Sequence, residues 1–330
     1  MMDMDSKKIR FLARMGSRGV LGQVVLDMAE VGQEFFAISA DLGEASGFAR
    51  LIARYPERFI NVGIAEQNLI GVSAGLSSNG IPVIATTWAM FATLRCADQL
   101  RNFLGYMQRN VKLVGMDSGM AQTRSSYSHA NPQDLALMRT IPGLTVLSPC
   151  DGVEIYWAMQ AAMETEGPFY IRLTGDKLLP IIYKEGNVPF IIGKAITLRQ
   201  GENIAIIGCG AILSEALEAA DSLEKSQGIS STVIDMHTIK PLDTEMLDTL
   251  MGYKMVVTVE EHSIIGGLGG AVAEYLSAKR KAPPILRLGA ADVLPKAGSY
   301  DYGLTQYGLK ASQLAEKILN MYQKLEGERC

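Results

Sequence analysis

Four stretches of this sequence set chemically capable residues close together. In Arg58-Phe59-Ile60-Asn61-Val62-Gly63-Ile64-Ala65-Glu66-Gln67-Asn68, a strand-like apolar run ends in glycine and a helix then opens with an acid. Glu66 would sit at a strand's carboxyl end and in a helix's first turn, where free N–H groups and the helix dipole favour a carboxylate. It is either a functional acid or a helix-start residue with a local electrostatic role. In TTWAMFATLR, Trp88 and Phe91 are three apart, which puts them on one helical face. Aromatics so spaced fill a core or wall off a flat heterocycle. The polar loop MDSGMAQTRSSYSHAN, Met116 to Asn131, is long for a connection without its own structure, and such loops often carry function. It holds His129, which reads as a proton donor, a substrate ligand or a loop histidine bonded to backbone. The fourth stretch, EEHSIIGGLGG at 260–270, has a glycine string but fits neither the dinucleotide fingerprint nor the Walker pattern. It reads as a tight strand-to-helix turn. His237 and His262 are too isolated in sequence to suggest a metal.

These residues need elements to hold them. Short β-rich runs at 35–39, 81–85, 111–115, 144–147 and 169–173 alternate with helical stretches at 18–30, 66–78, 91–107, 132–139 and 152–164. That rhythm predicts an α/β fold with a mostly parallel sheet covered on both faces. It breaks over 174–193, rich in proline and glycine. A second series follows, with strands at 204–207, 231–235, 255–259 and 285–288 and helices at 211–227, 244–251, 270–279 and 310–325. The expected division is a first domain at 1–182, a linker at 183–193 and a second domain at 194–330. In such sheets chemistry gathers at the carboxyl ends of the strands.

Composition narrows the function classes. Over 330 residues, 48% are hydrophobic and 20% charged, enough apolar surface for two cores. The net charge of −4 argues against a nucleic-acid sleeve or a polybasic membrane binder. Four scattered cysteines, Cys96, Cys150, Cys209 and Cys330, make no CxxC pair, so neither a disulfide framework nor a structural zinc is expected. No apolar run reaches the ~18 residues of a membrane span, and MMDMDSKKIRF shows no leader-like stretch. The expected compartment is cytoplasmic.

Taken in order, GIAEQN at 63–68, the helix TTWAMFATLRCADQLRN, SHANPQDLALMR, Tyr170-Ile171-Arg172-Leu173, VIDMHTIKPLD and EEHSIIGGLGGAVAE resemble the C-terminal half of transketolase, a thiamine-diphosphate enzyme, as found in split, two-subunit forms. The likeness runs over nearly the whole chain. Deoxyxylulose-phosphate synthases and the beta subunits of 2-oxo-acid dehydrogenases share parts of it. The resemblance implies a pyrimidine-binding-type parallel sheet followed by a transketolase C-terminal-type α/β domain. It assigns Glu66 to N1′ of the cofactor's aminopyrimidine, where a shared proton lets the ring's own 4′ nitrogen deprotonate the thiazolium carbon. Trp88 and Phe91 match positions that pack on the pyrimidine. Leu94 stands where an aromatic is common, and Asp41 matches an acidic position near the cofactor. Arg18 and Arg172 match arginines that hold a sugar's terminal phosphate, suited to guanidinium forks. His129 matches a histidine that contacts the reacting sugar.

The departures also carry information. Where typical transketolases have glycine–glutamate–aspartate–glycine before Thr-His, this chain has Thr123-Arg124-Ser125-Ser126-Tyr127-Ser128-His129. An aspartate that reads a donor hydroxyl thus becomes Ser125, and an upstream histidine becomes Met116, which cannot donate a hydrogen bond. Arg124 and Tyr127 are then candidate specificity contacts for an altered sugar. The family's glycine–aspartate–glycine and downstream asparagine, which serve the diphosphate and Mg²⁺, are matched only by Thr174-Gly175-Asp176-Lys177. The resemblance therefore implies no metal site on this chain. It implies Mg²⁺ on an N-terminal-half partner subunit, an α2β2 assembly, and a two-carbon ketol transfer between sugar phosphates. A scaffold subunit that kept the fold without catalysis is the competing reading.

Overall fold

Runs that are apolar on both faces, such as Val83-Ile84-Ala85 and Ile204-Ala205-Ile206-Ile207, belong in parallel sheets covered on both sides. The computed structural model, which describes residues 4–184 and 188–327, places them so. The first sheet contains β1 (Phe36–Ser39), β2 (Phe59–Asn61), β3 (Val83–Trp88), β4 (Val111–Met116), β5 (Thr145–Leu147) and β6 (Phe169–Arg172). The second contains β7 (Ile196–Arg199), β8 (Ile204–Cys209), β9 (Ser231–Asp235), β11 (Met255–Ser263) and β12 (Ile285–Ala290). One short strand, β10 (Thr238–Lys240), leaves the second series and joins the first sheet antiparallel to β5. The strand orders are β10-β5-β6-β4-β3-β1-β2 and β12-β11-β8-β9-β7. Only the edge strands β10 and β7 run antiparallel to their neighbours.

Both sheets are α/β and mainly parallel, as the alternating rhythm implies. The edge strands β7 and β10 were not expected; three or four residues without a long apolar run leave little periodicity to read. Three residues of the expected 183–193 linker, at 185–187, lie outside the described residues, as does Cys330. Cys96, Cys150 and Cys209 are free and buried. Among the described residues no helix is long and apolar enough to cross a membrane.

The first helix starts earlier than expected, at Ser6 rather than near Arg18, because Asp5 caps it by accepting from the Lys7 and Lys8 amides. It is kinked at Gly16, whose φ of 67° and ψ of 168° lie in a region open essentially to glycine alone. A Cβ there would stand 2.8 Å from the Lys177 carbonyl oxygen. The kink lets the segment after β6 pass against the helix just before Arg18.

The expected single helix at 91–107 is broken. Ala89–Thr93 is α-helical, Leu94–Cys96 a 3₁₀ turn, Ala97–Gln99 α-helical and Leu100–Tyr106 a π-helix. Thr93 has φ −104° and ψ −80°, and its hydroxyl bonds back to the Ala89 carbonyl. Such back-bonding competes with the regular ladder. Trp88 ends β3 instead of sharing a helix with Phe91, a correction to the one-face expectation.

The two sheets meet across buried polar groups. Asp151 caps the helix Gly152–Glu164 and also accepts from the Ile182 and Tyr183 amides. Beside it the Glu154 carboxyl lies within 4.8 Å of that of Asp235, at the end of β9. Tyr183 Oη and Cys150 Sγ both donate to Asp235 Oδ2, at 2.7 and 3.4 Å. Glu154 Oε1 and Asp235 Oδ1 have no donor from any other group. One proton held between the two carboxyls would answer both oxygens, and burial, followed by the Asp235 charge, pushes Glu154 well up. Burial likewise raises Asp235 to about 6.

Two outcomes follow from this architecture. Gly16→Ala should lower unfolding stability by roughly 1–3 kcal/mol in denaturant titration; unchanged stability would contradict the kink's geometry. The unfolded chain releases the seam protons near 3.8 and 4.5, and the folded chain does so later. The native state therefore binds more protons as pH rises through that window. Stability should fall from about pH 4.5 through 6 and above, by about 1.4 kcal/mol per pH unit for each proton retained. In Glu154→Gln the amide donates without a titrating proton, so thermal unfolding across this range should show a flatter slope.

Candidate functional site

The carboxyl ends of β1 to β4 converge on one edge of the first sheet, and most of the singled-out residues sit there. The turn after β2 is built by Asn61. Its Oδ1 accepts from the Gly63 and Asp41 amides at 2.9 and 3.0 Å, and its Nδ2 donates to Asp41 Oδ1 at 3.2 Å. Gly63 takes the left-handed φ of 72° that this turn requires. Three residues on, Glu66 opens the helix Glu66–Ser77, whose preceding residue Ala65 supplies no side-chain cap. Asp41, itself at φ 59°, is exposed and serves this turn through Asn61.

The Glu66 carboxylate is nearly buried, with 4% of its side chain exposed. Its Oε2 accepts from Arg95 Nη1 at 2.7 Å. The Arg95 guanidinium lies over the Phe91 ring, 4.0 Å from its centroid. His129 meets Phe91 edge-on, with centroids 5.2 Å apart, and its Nδ1 shares a hydrogen bond with Ser128 Oγ. Glu66, Arg95, Phe91 and His129 thus form one chain of contacts. Beneath it Cys96 is buried, and burial followed by the Glu66 charge pushes its thiol up to about 12, against the opposing pull of Arg95. It is an inert neighbour rather than a nucleophile. Arg95 was missed in the sequence. The available signal was a cation four residues after Phe91, which returns to the same face even through the broken helix.

A cavity of about 300 Å³ lies nearby, walled by Arg18, Arg124, Lys177, Asp117, Asp176 and Gln122 among others. Arg18 spans the two features. Its guanidinium is 5.3 Å from the Trp88 ring centroid, and its Nε is 3.6 Å from Asp117 Oδ1. Burial raises the Asp117 carboxyl, opposed by Arg18 and by the hydrogen bond from Gln122. Arg124 therefore joins Arg18, while Ser125 is exposed and forms none of these walls. Lys177 was singled out only as the end of the incomplete glycine–aspartate–glycine match, not as an anion ligand.

Two expected contacts are corrected. Arg172 is wholly buried. Its Nε donates to Asp134 Oδ2 at 2.8 Å and its Nη2 to the Glu261 carbonyl at 2.7 Å. Asp134 Oδ2 also accepts from Tyr170 Oη and Ser118 Oγ. Burial alone would raise Asp134, but the Arg172 charge overcomes it and holds the carboxyl low. A guanidinium so enclosed ties the sheets together and presents nothing to a phosphate. Met116 is also fully buried at the tip of β4, paired in register with Trp88, and forms no part of a substrate wall. Leu94 is 42% exposed and faces outward beside the site.

The glycine string of 266–270 is a packed turn. Glu260 accepts from the Leu268 and Gly269 amides at 2.7 and 2.8 Å, so the chain's own carboxylate fills this helix start. A Cβ on Gly267 would stand 2.0 Å from Glu260 Oε2. His262 Nε2 accepts from the Ala136 amide and helps join the two sheets.

The site's chemistry suits a flat, hydrogen-bonding ring. A buried acid faces an aromatic ring, and a planar N–H donor already occupies the space between them. Comparison with known proteins identifies the family. The transketolase pyrimidine-binding domain family matches residues 14–179, and the transketolase C-terminal domain family matches 193–314. A transketolase C-terminal section from Methanocaldococcus jannaschii is 37% identical over 94% of this chain and 97% of its own length. A 6-deoxy-6-sulfo-D-fructose transketolase subunit from Clostridium sp. is 37% identical over 88% of this chain and 89% of its own. A split-gene transketolase solved as an inactive beta4 tetramer superposes with a TM-score of 0.83 at 35% identity, covering 94% of this chain and 98% of that one. The pyrimidine-binding domain implies thiamine diphosphate as the family's cofactor. With both domain families matched in order and relatives aligned almost end to end, the chain belongs to the transketolase family, as a split C-terminal subunit.

Proposed function

We propose that this chain is the pyrimidine-binding subunit of a two-chain ketol transferase acting on sugars with an anionic terminus. The observation that carries the reading is the Glu66 carboxylate, buried in a helix's first turn and facing Phe91 through a planar donor. Thiamine diphosphate, when bound, supplies the carbanion chemistry that splits and rejoins the sugar. Glu66 would hold or share the proton at the pyrimidine's N1′, and a carboxyl is needed because it can do both. Phe91 and Trp88 would flank the ring, with Asp41 and Leu94 at its margin. His129, in contact with Phe91, would bond the reacting sugar's hydroxyls or move a proton there.

The sugar's far end is proposed to enter the cavity of Arg18, Arg124 and Lys177. Phosphate and sulfonate are both tetrahedral oxyanions that guanidinium groups recognise. One relative is by name a 6-deoxy-6-sulfo-D-fructose transketolase subunit, which keeps a sulfonated sugar within the substrate class. Ser125, in the neighbouring exposed turn, stands where the family's aspartate reads a donor hydroxyl, and its shorter side chain would suit an altered donor.

The rest of the machinery is proposed to come from a second polypeptide equivalent to transketolase's N-terminal half. On this chain Thr174-Gly175-Asp176-Lys177 is engaged elsewhere. Thr174 Oγ1 accepts from the Ala211 amide, and Asp176 and Lys177 belong to the Arg18 cavity. Mg²⁺ and the diphosphate would bind the partner, with two copies of each chain in an α2β2 enzyme. The boundaries 1–182, 183–193 and 194–330 are the proposed domain division.

Purified chain alone should show no ketol transfer, and adding the N-terminal-half subunit should restore it. In that complex Glu66→Gln and Glu66→Ala should each reduce turnover by about 10²–10⁴-fold, whereas a scaffold would be indifferent. Arg18→Ala should raise KM for phosphorylated sugars by about ten-fold or more with a smaller effect on kcat, the scale of one lost charged hydrogen bond. A panel of ketose and aldose phosphates and sulfonates identifies the substrates.

A further inference from the structure

Resting on the cofactor reading above, we infer that Arg95 occupies the aminopyrimidine's seat in this chain and must swing out before the cofactor can bind. One guanidinium makes both of the contacts at this seat. It lies 4.0 Å from the Phe91 ring centroid and donates from Nη1 to Glu66 Oε2 at 2.7 Å. A planar cation stacked on an aromatic and hydrogen-bonded at its edge presents much the same surface as a protonated heteroaromatic ring. The two contacts Arg95 makes are the two an aminopyrimidine would require. One ring face and one carboxylate oxygen cannot serve both at once.

The asymmetry of burial shows which partner yields. The Glu66 side chain is 4% exposed and fixed at a helix start, while 44% of the Arg95 side chain is exposed. The Arg95 backbone is held by Gln67 Nε2, which donates to its carbonyl at 3.2 Å. Only the side chain is therefore free to move. Leaving the seat returns the part-exposed guanidinium to water but uncovers a nearly buried carboxylate, a cost that the incoming ring offsets by taking over the same Glu66 oxygen. The seat is then closed until the cofactor competes for it, and the apparent cofactor affinity is reduced by the open fraction. This arrangement keeps Glu66 from being left as an unpaired buried anion before the cofactor arrives. Arg95 is on this view a positioning residue, since it acts through Glu66 rather than on the sugar.

The sign of the effect separates this role from others. If Arg95 merely supported the fold or helped hold the cofactor, its removal would weaken binding. If it competes, removal strengthens binding. The test measures thiamine diphosphate affinity by calorimetry on the reconstituted two-chain complex, comparing wild type with Arg95→Gln and Arg95→Ala, and confirming folding by circular dichroism and thermal melting. The uncharged 4-amino-5-hydroxymethyl-2-methylpyrimidine serves as a second probe, because it reports the ring's seat without the diphosphate. Both variants should bind both probes more tightly, by about five-fold or more, because the competing guanidinium no longer has to leave the seat. Unchanged or weaker binding in both variants, with wild type binding normally, would overturn the competition while leaving the cofactor reading intact. Failure of the wild-type complex to bind thiamine diphosphate would instead remove the cofactor reading and this inference together.

Discussion

A carboxylate kept out of water must be answered, and the site is organised around how Glu66 is answered. Its position at the start of Glu66–Ser77 gives it the free amides and dipole of a helix terminus. Its second support is Arg95, which reaches it across Phe91. Holding that acid at that point requires the turn before it. Asn61 bridges Gly63 and Asp41, and the left-handed Gly63 lets the chain turn from β2 into the helix. The turn in turn depends on β2 lying beside β1 at the sheet's edge, with residues 59–61 in register with 37–39.

A second buried charge pair has a different purpose. Arg172 and Asp134 are both fully enclosed, and Arg172 reaches across to the Glu261 carbonyl on β11. Glu261 in turn accepts from the Met120 amide and from Tyr300 Oη. The loop from β4 that ends in His129 is thereby tied to the second sheet at Met120. Ser126, within its 3₁₀ turn, adds a bond to the Pro295 carbonyl. Buried pairs of this kind are weak evidence of net stability but costly to break. Here they set where the loop lies, so the second sheet contributes to the site through positioning. The strand β10, donated to the first sheet, strengthens the same coupling.

How much of this was legible depended on whether the signal was local. The parallel sheets, the helix opening at Glu66 and the aromatic at Phe91 follow from periodicity and from a residue type at an element's end. The turn at 266–270 was readable because its glycines fit no phosphate motif. Arg172 was not, because an arginine at a strand's carboxyl end looks the same in sequence whether it faces a ligand or an aspartate from another element. The parts played by Arg95 and Lys177 were invisible for a related reason. Their roles arise from contacts across 29 residues in one case and from a glycine kink in a different helix in the other. The broken helix after Thr93 depends on side-chain-to-backbone bonds that a helical pattern does not report.

The central claim is that Glu66 addresses the pyrimidine of thiamine diphosphate. A crystal structure of the two-chain complex with the cofactor bound tests it most directly. The account predicts a Glu66 carboxylate oxygen within about 2.6–3.2 Å of N1′, with the ring against Phe91. A cofactor bound elsewhere, or Glu66 still paired with Arg95 and remote from the ring, would contradict it.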